Sequence, residues 1–214
     1  MFSQTKAFLF DLNGTMVNDM HYHIAAWHAI VNRLGATLSM EDVKHQCYGK
    51  NDELLERVFP GRFTMEEKLA IGANKEAIYQ VDFKPHLKLI TGLNIFLAKA
   101  HQQQIKMAIG SAAITSNIDF VLDNTNTRKY FESIVSADHV KQSKPHPETF
   151  LNCAAHLNVQ PSECIVFEDT PKGVECAQNA KMKAIVILTG HDKEEFKSFT
   201  NVIEFINDYT TLKF

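Results

Sequence analysis

No apolar run in this 214-residue chain approaches the roughly 20 residues that a membrane-spanning helix needs. No run of basic residues exceeds two, and the net charge is −3. The electrostatic footprint of a nucleic-acid or anionic-membrane partner is therefore missing. Gly/Ser linkers, internal repeats and low-complexity tracts are absent as well. Cysteine is scarce, and Cys47, Cys153, Cys164 and Cys176 form no CxxC and no metal-type spacing. The last three sit among apolar residues, where a thiol behaves as a small hydrophobe. The opening "MFSQTKAFLFD" has one early lysine, four consecutive hydrophobic residues and no small-residue cleavage site, so it does not read as a signal peptide. A reduced, cytoplasmic setting is the expectation. What is present is enough apolar residue, 45% against 22% charged, for a packed core. The length suits one large domain, or one domain carrying a smaller insert.

Five short runs have strand character: "AFLF" (7–10), "IKMAIG" (105–110), "SIV" (133–135), "CIVF" (164–167) and "AIVIL" (184–188). Their apolar residues are largely continuous rather than alternating, as in strands buried on both faces of a parallel sheet. Helical patterns separate them. "ITSNIDFVLDN" puts Ile114, Ile118, Val121 and Leu122 on one stripe, "PETFLNCAAHL" opens on Pro147, and "TPKGVECAQNA" opens on Thr170 as N-cap with Pro171 behind it. Alternating strands and helices predict a doubly wound α/β sheet with its ligand crevice at the carboxyl ends of the strands.

Between Thr15 and about Pro85 the strand signal vanishes. A helix is predicted from about Met20 to Leu34, stopping at Gly35. Ser39 with Asp42 resembles a cap, "NDELLERVF" follows, and Thr64 with Glu67 forms a capping box before a long helix. A helical insert of roughly 70 residues thus interrupts the sheet domain after its first strand. The tail "NVIEFINDYTTLKF" has Val202, Phe205 and Ile206 at helical spacing and reads as scaffold.

Polar residues gather at the predicted strand ends. Asp11 ends the first strand, Ser111 follows "MAIG", Lys144 lies just after the third strand, and Glu168 and Asp169 end "CIVF". A single acid after a strand is ordinarily a helix cap or a solvated loop residue. Three acids, a hydroxyl and an ammonium on one sheet edge are a different matter. Crowded carboxylates repel unless a cation neutralises them, and an all-oxygen site suits Mg²⁺. Lys144 offers a fixed positive charge, Ser111 and nearby N–H groups offer donors, and a carboxylate held beside Mg²⁺ and phosphate is a nucleophile for phosphorus.

"DLNGT", "GSAA", "KPHPE" and "EDTPKGVECAQNA" resemble, in order, the four motifs of the haloacid dehalogenase superfamily. "FDLNGTMVNDMHYHIAAWHAI" is similar to its β-phosphoglucomutase-like branch, including His23 and Trp27. The resemblance implies a Rossmann-like core (1–15 and 86–214) with a small α-helical cap (16–85). It implies that Asp11 is the nucleophile that forms an aspartyl-phosphate. Asp11, Glu168, Asp169 and the backbone carbonyl of Asn13 would hold Mg²⁺. Ser111, with Ala112 after it, and Lys144 would bind the transferring phosphoryl group of a small phosphorylated metabolite, with the cap closing over it; Gly14 and Thr15, read from the residues themselves, let the chain turn tightly and supply N–H and hydroxyl donors to that group.

The chain departs from this pattern at two places. The superfamily's phosphatases and mutases usually have Asp at position 13, as the acid–base group. Asn13 has that shape but does not titrate. Either it was introduced to trap a state, or His23 or another group carries the proton, or the substrates have good leaving groups such as acyl or aryl phosphates. In the cap, Tyr48 and Asp52 replace the lysine and arginine with which a mutase grips a second phosphate, and Ile114 replaces a further lysine. Lys50 lies beside this stretch as a substitute. A Mg²⁺-dependent phosphatase is the leading expectation, with a β-phosphoglucomutase-type mutase as its nearest rival. A metal-free dehalogenase fits the Glu168–Asp169 pair poorly. A phospho-ligand-binding protein with weakened catalysis is the alternative of another class.

Overall fold

A computed structural model describes residues 2 and 4–213 of the chain. Six parallel strands form its sheet: β1 (Ala7–Phe10), β2 (Lys106–Gly110), β3 (Ser133–Val135), β4 (Cys164–Glu168), β5 (Lys183–Ile187) and β6 (Val202–Ile206). Their order is β3-β2-β1-β4-β5-β6, the doubly wound arrangement. β1 is flanked on both sides, Phe8 pairing with Met107 of β2 and with Ile165 of β4, and all four of its residues are buried. Its continuous apolar run follows from having no solvent face. Chain order reverses at β1, so the loops after β1 and β4 open the crevice in which such sheets bind ligands.

Side chains on the two faces differ in kind. Ala7, Leu9 and Val166 pack with Phe150, Val174 and Phe196. The opposite face is aromatic. Phe10 and Phe167 stack with centroids 4.6 Å apart, and Tyr209 packs against both Phe96 and Phe167. Such ring pairs add about 0.5–1.5 kcal/mol each beyond their buried area. Helices α5 (Leu93–Gln102), α6 (Thr115–Asn124), α7 (Glu148–His156) and α8 (Pro171–Asn179) belong to this part of the chain.

The tail corrects one expectation. Val202, Phe205 and Ile206 are not helical but lie in β6, which pairs with β5 through a register shift between Ala184 and Ile185. Apolar residues at i, i+3 and i+4 within five positions do not separate the two periods, and an edge strand need not bury both faces.

The chain divides into two compact units, one comprising the residues up to Asn18 and from Lys88 onward, the other Asp19–Leu87. The second is wholly helical: α1 (Met20–Arg33), α2 (Met40–Gln46), α3 (Asn51–Val58) and α4 (Met65–Phe83), with a short 3₁₀ turn after α4. It has its own apolar centre of Trp27, Ile30, Val31, Val43, Leu54, Leu55 and Phe59. α2 and α4 begin on the Ser39/Asp42 and Thr64/Glu67 capping boxes. No helix among the described residues is long and apolar enough to cross a membrane.

Candidate active site

Asp11 is the first residue past β1 and Glu168 the last of β4, on adjacent strands. Lys144 bridges them. Its Nζ donates to Asp11 Oδ1 at 2.6 Å and to Glu168 Oε1 at 2.7 Å, with all three side chains buried. Burial alone works against the ammonium charge, but the Asp11 and Glu168 carboxylates outweigh it and hold the Lys144 pKa above its ordinary value. The other oxygen of Glu168 accepts from the Asp169 and Thr170 amides and from the Thr170 hydroxyl, at 2.9–3.0 Å. Gly173 makes room for this: a Cβ there would lie 1.8 Å from the Glu168 carboxyl carbon. Both oxygens of Glu168 thus serve Lys144 and the start of α8.

Asp169 lies beside them. Thr15 Oγ1 donates to its Oδ1 at 3.1 Å. Burial, then the Glu168 and Asp11 charges, push its pKa well above the usual carboxylate range, against the Thr15 bond and Lys144. Gly14 has φ +77°, and a Cβ on it would sit 2.0 Å from Asp169 Oδ2, so only glycine lets this carboxylate close in.

The turn after Asp11 is tightly wound. The amides of Thr15, Met16 and Val17 all donate to Leu12 O, and the Gly14 amide donates to Val17 O. Asn13 is half-buried and bridged to Val17 through its backbone. The Gly14 and Thr15 amides thus have partners within the turn itself. Ser111, buried, follows β2; its hydroxyl accepts from the Ala113 amide at 3.2 Å, with Ala112 between them. The register of β1 with β2, Phe10 opposite Ile109, puts Ser111 on the edge where Asp11 emerges.

His23 and Lys50 lie in the helical unit. Lys50 is the N-cap of α3, where its amide donates to Glu53 Oε2 at 2.9 Å. His23 belongs to a buried polar chain whose other members carried no sequence signal. Lys75 Nζ is 2.5 Å from His23 Nδ1 and 3.0–3.1 Å from both Glu76 oxygens, and Glu76 Oε1 accepts from Asn51 Nδ2 at 2.8 Å. Tyr79 donates to Asp19 Oδ2 at 2.5 Å, and that oxygen is 3.5 Å from His23 Nε2. An ammonium cannot accept a hydrogen bond, so Nδ1 of His23 is the acceptor and the ring is the neutral Nε2–H form.

Burial, then Lys75, lowers the His23 pKa below 6.5 against the pull of Asp19 and Glu76. As pH falls below 6.5 the unfolded chain takes up this proton first. The stability that neutral His23 contributes is therefore present above 6.5 and lost on the way down through the lowered folded value. Thermal melts at pH 5.0 and 7.5 should show a smaller pH dependence for His23→Gln, whose amide oxygen still accepts from Lys75. An unchanged difference would put the titration elsewhere.

Among the described residues no group of three or more His, Cys, Asp or Glu side chains is arranged to hold a metal ion. Two carboxylates, Asp11 and Asp169, with a main-chain carbonyl make an all-oxygen set. Mg²⁺ characteristically takes only one or two carboxylates and completes its shell with water and phosphate oxygens. The repulsion that raises the Asp169 pKa is what a divalent cation would relieve, so the residues fit that ion.

Comparison with known proteins agrees with this geometry. The haloacid dehalogenase-like hydrolase family model matches residues 8–187. β-Phosphoglucomutase of Bacillus subtilis is 29% identical over 194 residues, 86% of this chain and 84% of that protein. Fructose-1-phosphate phosphatase of Escherichia coli is 27% identical over 188 residues, 86% and 97% of the two chains. The crystal structure of β-phosphoglucomutase from Clostridium difficile superimposes with a TM-score of 0.85 at 27% identity, covering 98% of this chain and 94% of that one. With the doubly wound sheet and the Asp11–Lys144–Glu168–Asp169 cluster, these matches make the chain a β-phosphoglucomutase-like member of the haloacid dehalogenase superfamily.

Proposed function

We propose that this protein is a Mg²⁺-dependent phosphohydrolase that cleaves small phosphorylated metabolites of the sugar-phosphate type through an aspartyl-phosphate. The observation that carries the reading is the buried Lys144 ammonium shared between Asp11 and Glu168 with Asp169 alongside. Asp11 Oδ attacks phosphorus and the bond to the leaving oxygen breaks, that oxygen taking its proton from water; a second water then attacks the acyl phosphate, releasing inorganic phosphate and restoring the Asp11 carboxylate. Lys144 offsets the charge on the transferring group while Glu168 holds Lys144 in place. Asp11, Asp169 and the Asn13 carbonyl would hold Mg²⁺, which when bound supplies charge neutralisation and orients the phosphoryl oxygens.

Monophosphate hydrolysis is favoured over a mutase by how the helical unit uses its cations. Arg57 donates to Gln46 O and Tyr48 O at 2.6 and 2.7 Å and stacks 3.8 Å over the Tyr48 ring. Lys75 is paired with Glu76. Neither is disposed to grip a second phosphate. The two named relatives divide between the activities, a fructose-1-phosphate phosphatase and a β-phosphoglucomutase.

The test is phosphate release from a panel of sugar and hexitol monophosphates, fructose 1-phosphate included, with and without Mg²⁺. Steady release that requires Mg²⁺ is expected. Isomerised sugar phosphate formed only with a bisphosphate activator would establish the mutase. A ligand that raises the melting temperature with no turnover anywhere on the panel would establish the binding protein.

A further inference from the structure

We propose that the hydroxyls of Thr189 and Tyr209, from the C-terminal part of the chain, are positioning groups that lock the turn after Asp11 so that its main chain can serve the metal site. The proposal rests on the reading above. Thr189 follows β5, and its Oγ1 donates to Gly14 O at 2.6 Å. Tyr209 lies beyond β6, and its hydroxyl donates to Thr15 O at 3.0 Å. Two successive peptide planes of the turn are thus tied to segments 175 and 194 residues away.

The turn needs such ties. Its amides at 14–17 are used internally on Leu12 O and Val17 O, and the Gly14 and Thr15 carbonyls take these side-chain donors instead. Both residues are buried, where an unpartnered carbonyl would cost about 1–3 kcal/mol. Rotation of either plane would also carry Thr15 Oγ1 away from Asp169 Oδ1, and would release the preceding carbonyl, that of Asn13, from a set orientation. Tyr209 is itself well fixed. Its amide donates to Thr91 O at 2.9 Å, its ring packs on Phe96 and Phe167, and Gly92 lies so close that a Cβ there would be 2.8 Å from the Thr210 amide nitrogen. Burial and the nearby Asp169 and Asp11 charges keep the phenol protonated, hence a donor at any working pH.

Partners of this kind, acting through the groups that hold a metal, typically change its affinity by 10–100-fold. Tyr209→Phe keeps the ring and deletes the hydroxyl. Thr189→Val keeps the shape and deletes the donor, and Thr189→Ser restores it. Phe196→Leu, in the apolar cluster on the other face of the sheet, controls for a general loss of packing. Two measurements decide. Amide hydrogen exchange of the 11–17 segment, without metal, should quicken in Tyr209→Phe and Thr189→Val and stay slow in Thr189→Ser and Phe196→Leu. Titration calorimetry with Mg²⁺ alone should show affinity about tenfold weaker in the first two variants and unchanged in the others.

Unchanged exchange in Tyr209→Phe overturns the clamp. Faster exchange with unchanged Mg²⁺ affinity, or an equal affinity loss in Phe196→Leu, overturns the positioning role and leaves packing alone. If the unaltered protein binds no Mg²⁺, the phosphohydrolase reading fails, and the exchange experiment alone decides whether the turn is clamped.

Discussion

Asn13→Asp is expected to raise the rate of hydrolysis of alkyl phosphates by about 10²–10⁴-fold, equivalent to roughly 3–5 kcal/mol of barrier. Asn13 stands two residues past Asp11 in a turn held by backbone hydrogen bonds from the Gly14, Thr15, Met16 and Val17 amides. The amide can hydrogen-bond to a leaving oxygen but cannot hand it a proton, nor take one from the attacking water. The exchange keeps Asp11 and Lys144 but adds a carboxylate, so the dependence of the gain on the leaving group is what separates proton transfer from charge. The gain should be large for a sugar phosphate, whose alkoxide is a poor leaving group, and small for p-nitrophenyl phosphate, which leaves without help. The new carboxylate joins Asp11 and Asp169, so the variant should melt lower than the parent without Mg²⁺ and recover with it. An equal gain for both substrates would tie the effect to charge rather than to proton transfer. No gain with either would mean that another group already moves the proton. His23→Gln in the Asn13 background tests that group directly, although its Nδ1 is engaged by Lys75.

How far the sequence was legible follows from how local each signal is. The strand runs of β1 to β5 stand out because burial on both faces leaves unbroken apolar stretches, and the observed strands lie within a residue or so of them. The polar residues at their ends are legible for the same reason: in a parallel sheet, residues distant in sequence share one edge. Glu168 shows the limit. Two adjacent acids after a strand look alike in sequence, yet one turns back onto Lys144 and the α8 amides while its neighbour faces Thr15. The one sequence trace of that difference is Gly173, where a side chain would displace the Glu168 carboxyl. Lys75 and Glu76, charged residues in mid-helix, carry no pattern that marks them as buried. They are buried because His23 and Asn51, remote in sequence, partner them. Thr189 and Tyr209 carry no pattern at all, since a hydroxyl becomes informative only when its acceptor is known.

Lys144→Met should lose both activity and stability, whereas Asp11→Asn should lose activity alone. Lys144 is buried between two carboxylates at 2.6 and 2.7 Å, with Asp169 close by. Removing the ammonium leaves uncompensated buried charge, which at neutral pH costs about 3–5 kcal/mol, or on the order of 10 °C of melting temperature for a chain of this size. Turnover should fall by at least about 10²–10³-fold, as when a preorganised transition-state donor is deleted. Asp11→Asn removes the nucleophile, so turnover should drop to background. Glu168 still pairs with Lys144 there, and one carboxylate fewer crowds Asp169, so melting should stay within about 1 kcal/mol of the parent. The sign of the pH effect separates the two further. The pKa of Lys144 is raised in the fold, so its stabilisation is complete below 10.5 and is lost only as pH rises through the higher folded value; the parent should show no loss from this group near neutrality. In Lys144→Met the Asp169 carboxyl, already held above the usual range by burial and by the Glu168 and Asp11 charges, loses the opposing ammonium, so that variant should regain stability as pH falls, or when Mg²⁺ is added. A Lys144→Met protein as stable as the parent at pH 7, with an equally flat pH profile, would mean that these charges are not held together in the fold, and the nucleophile would lose its electrostatic partner.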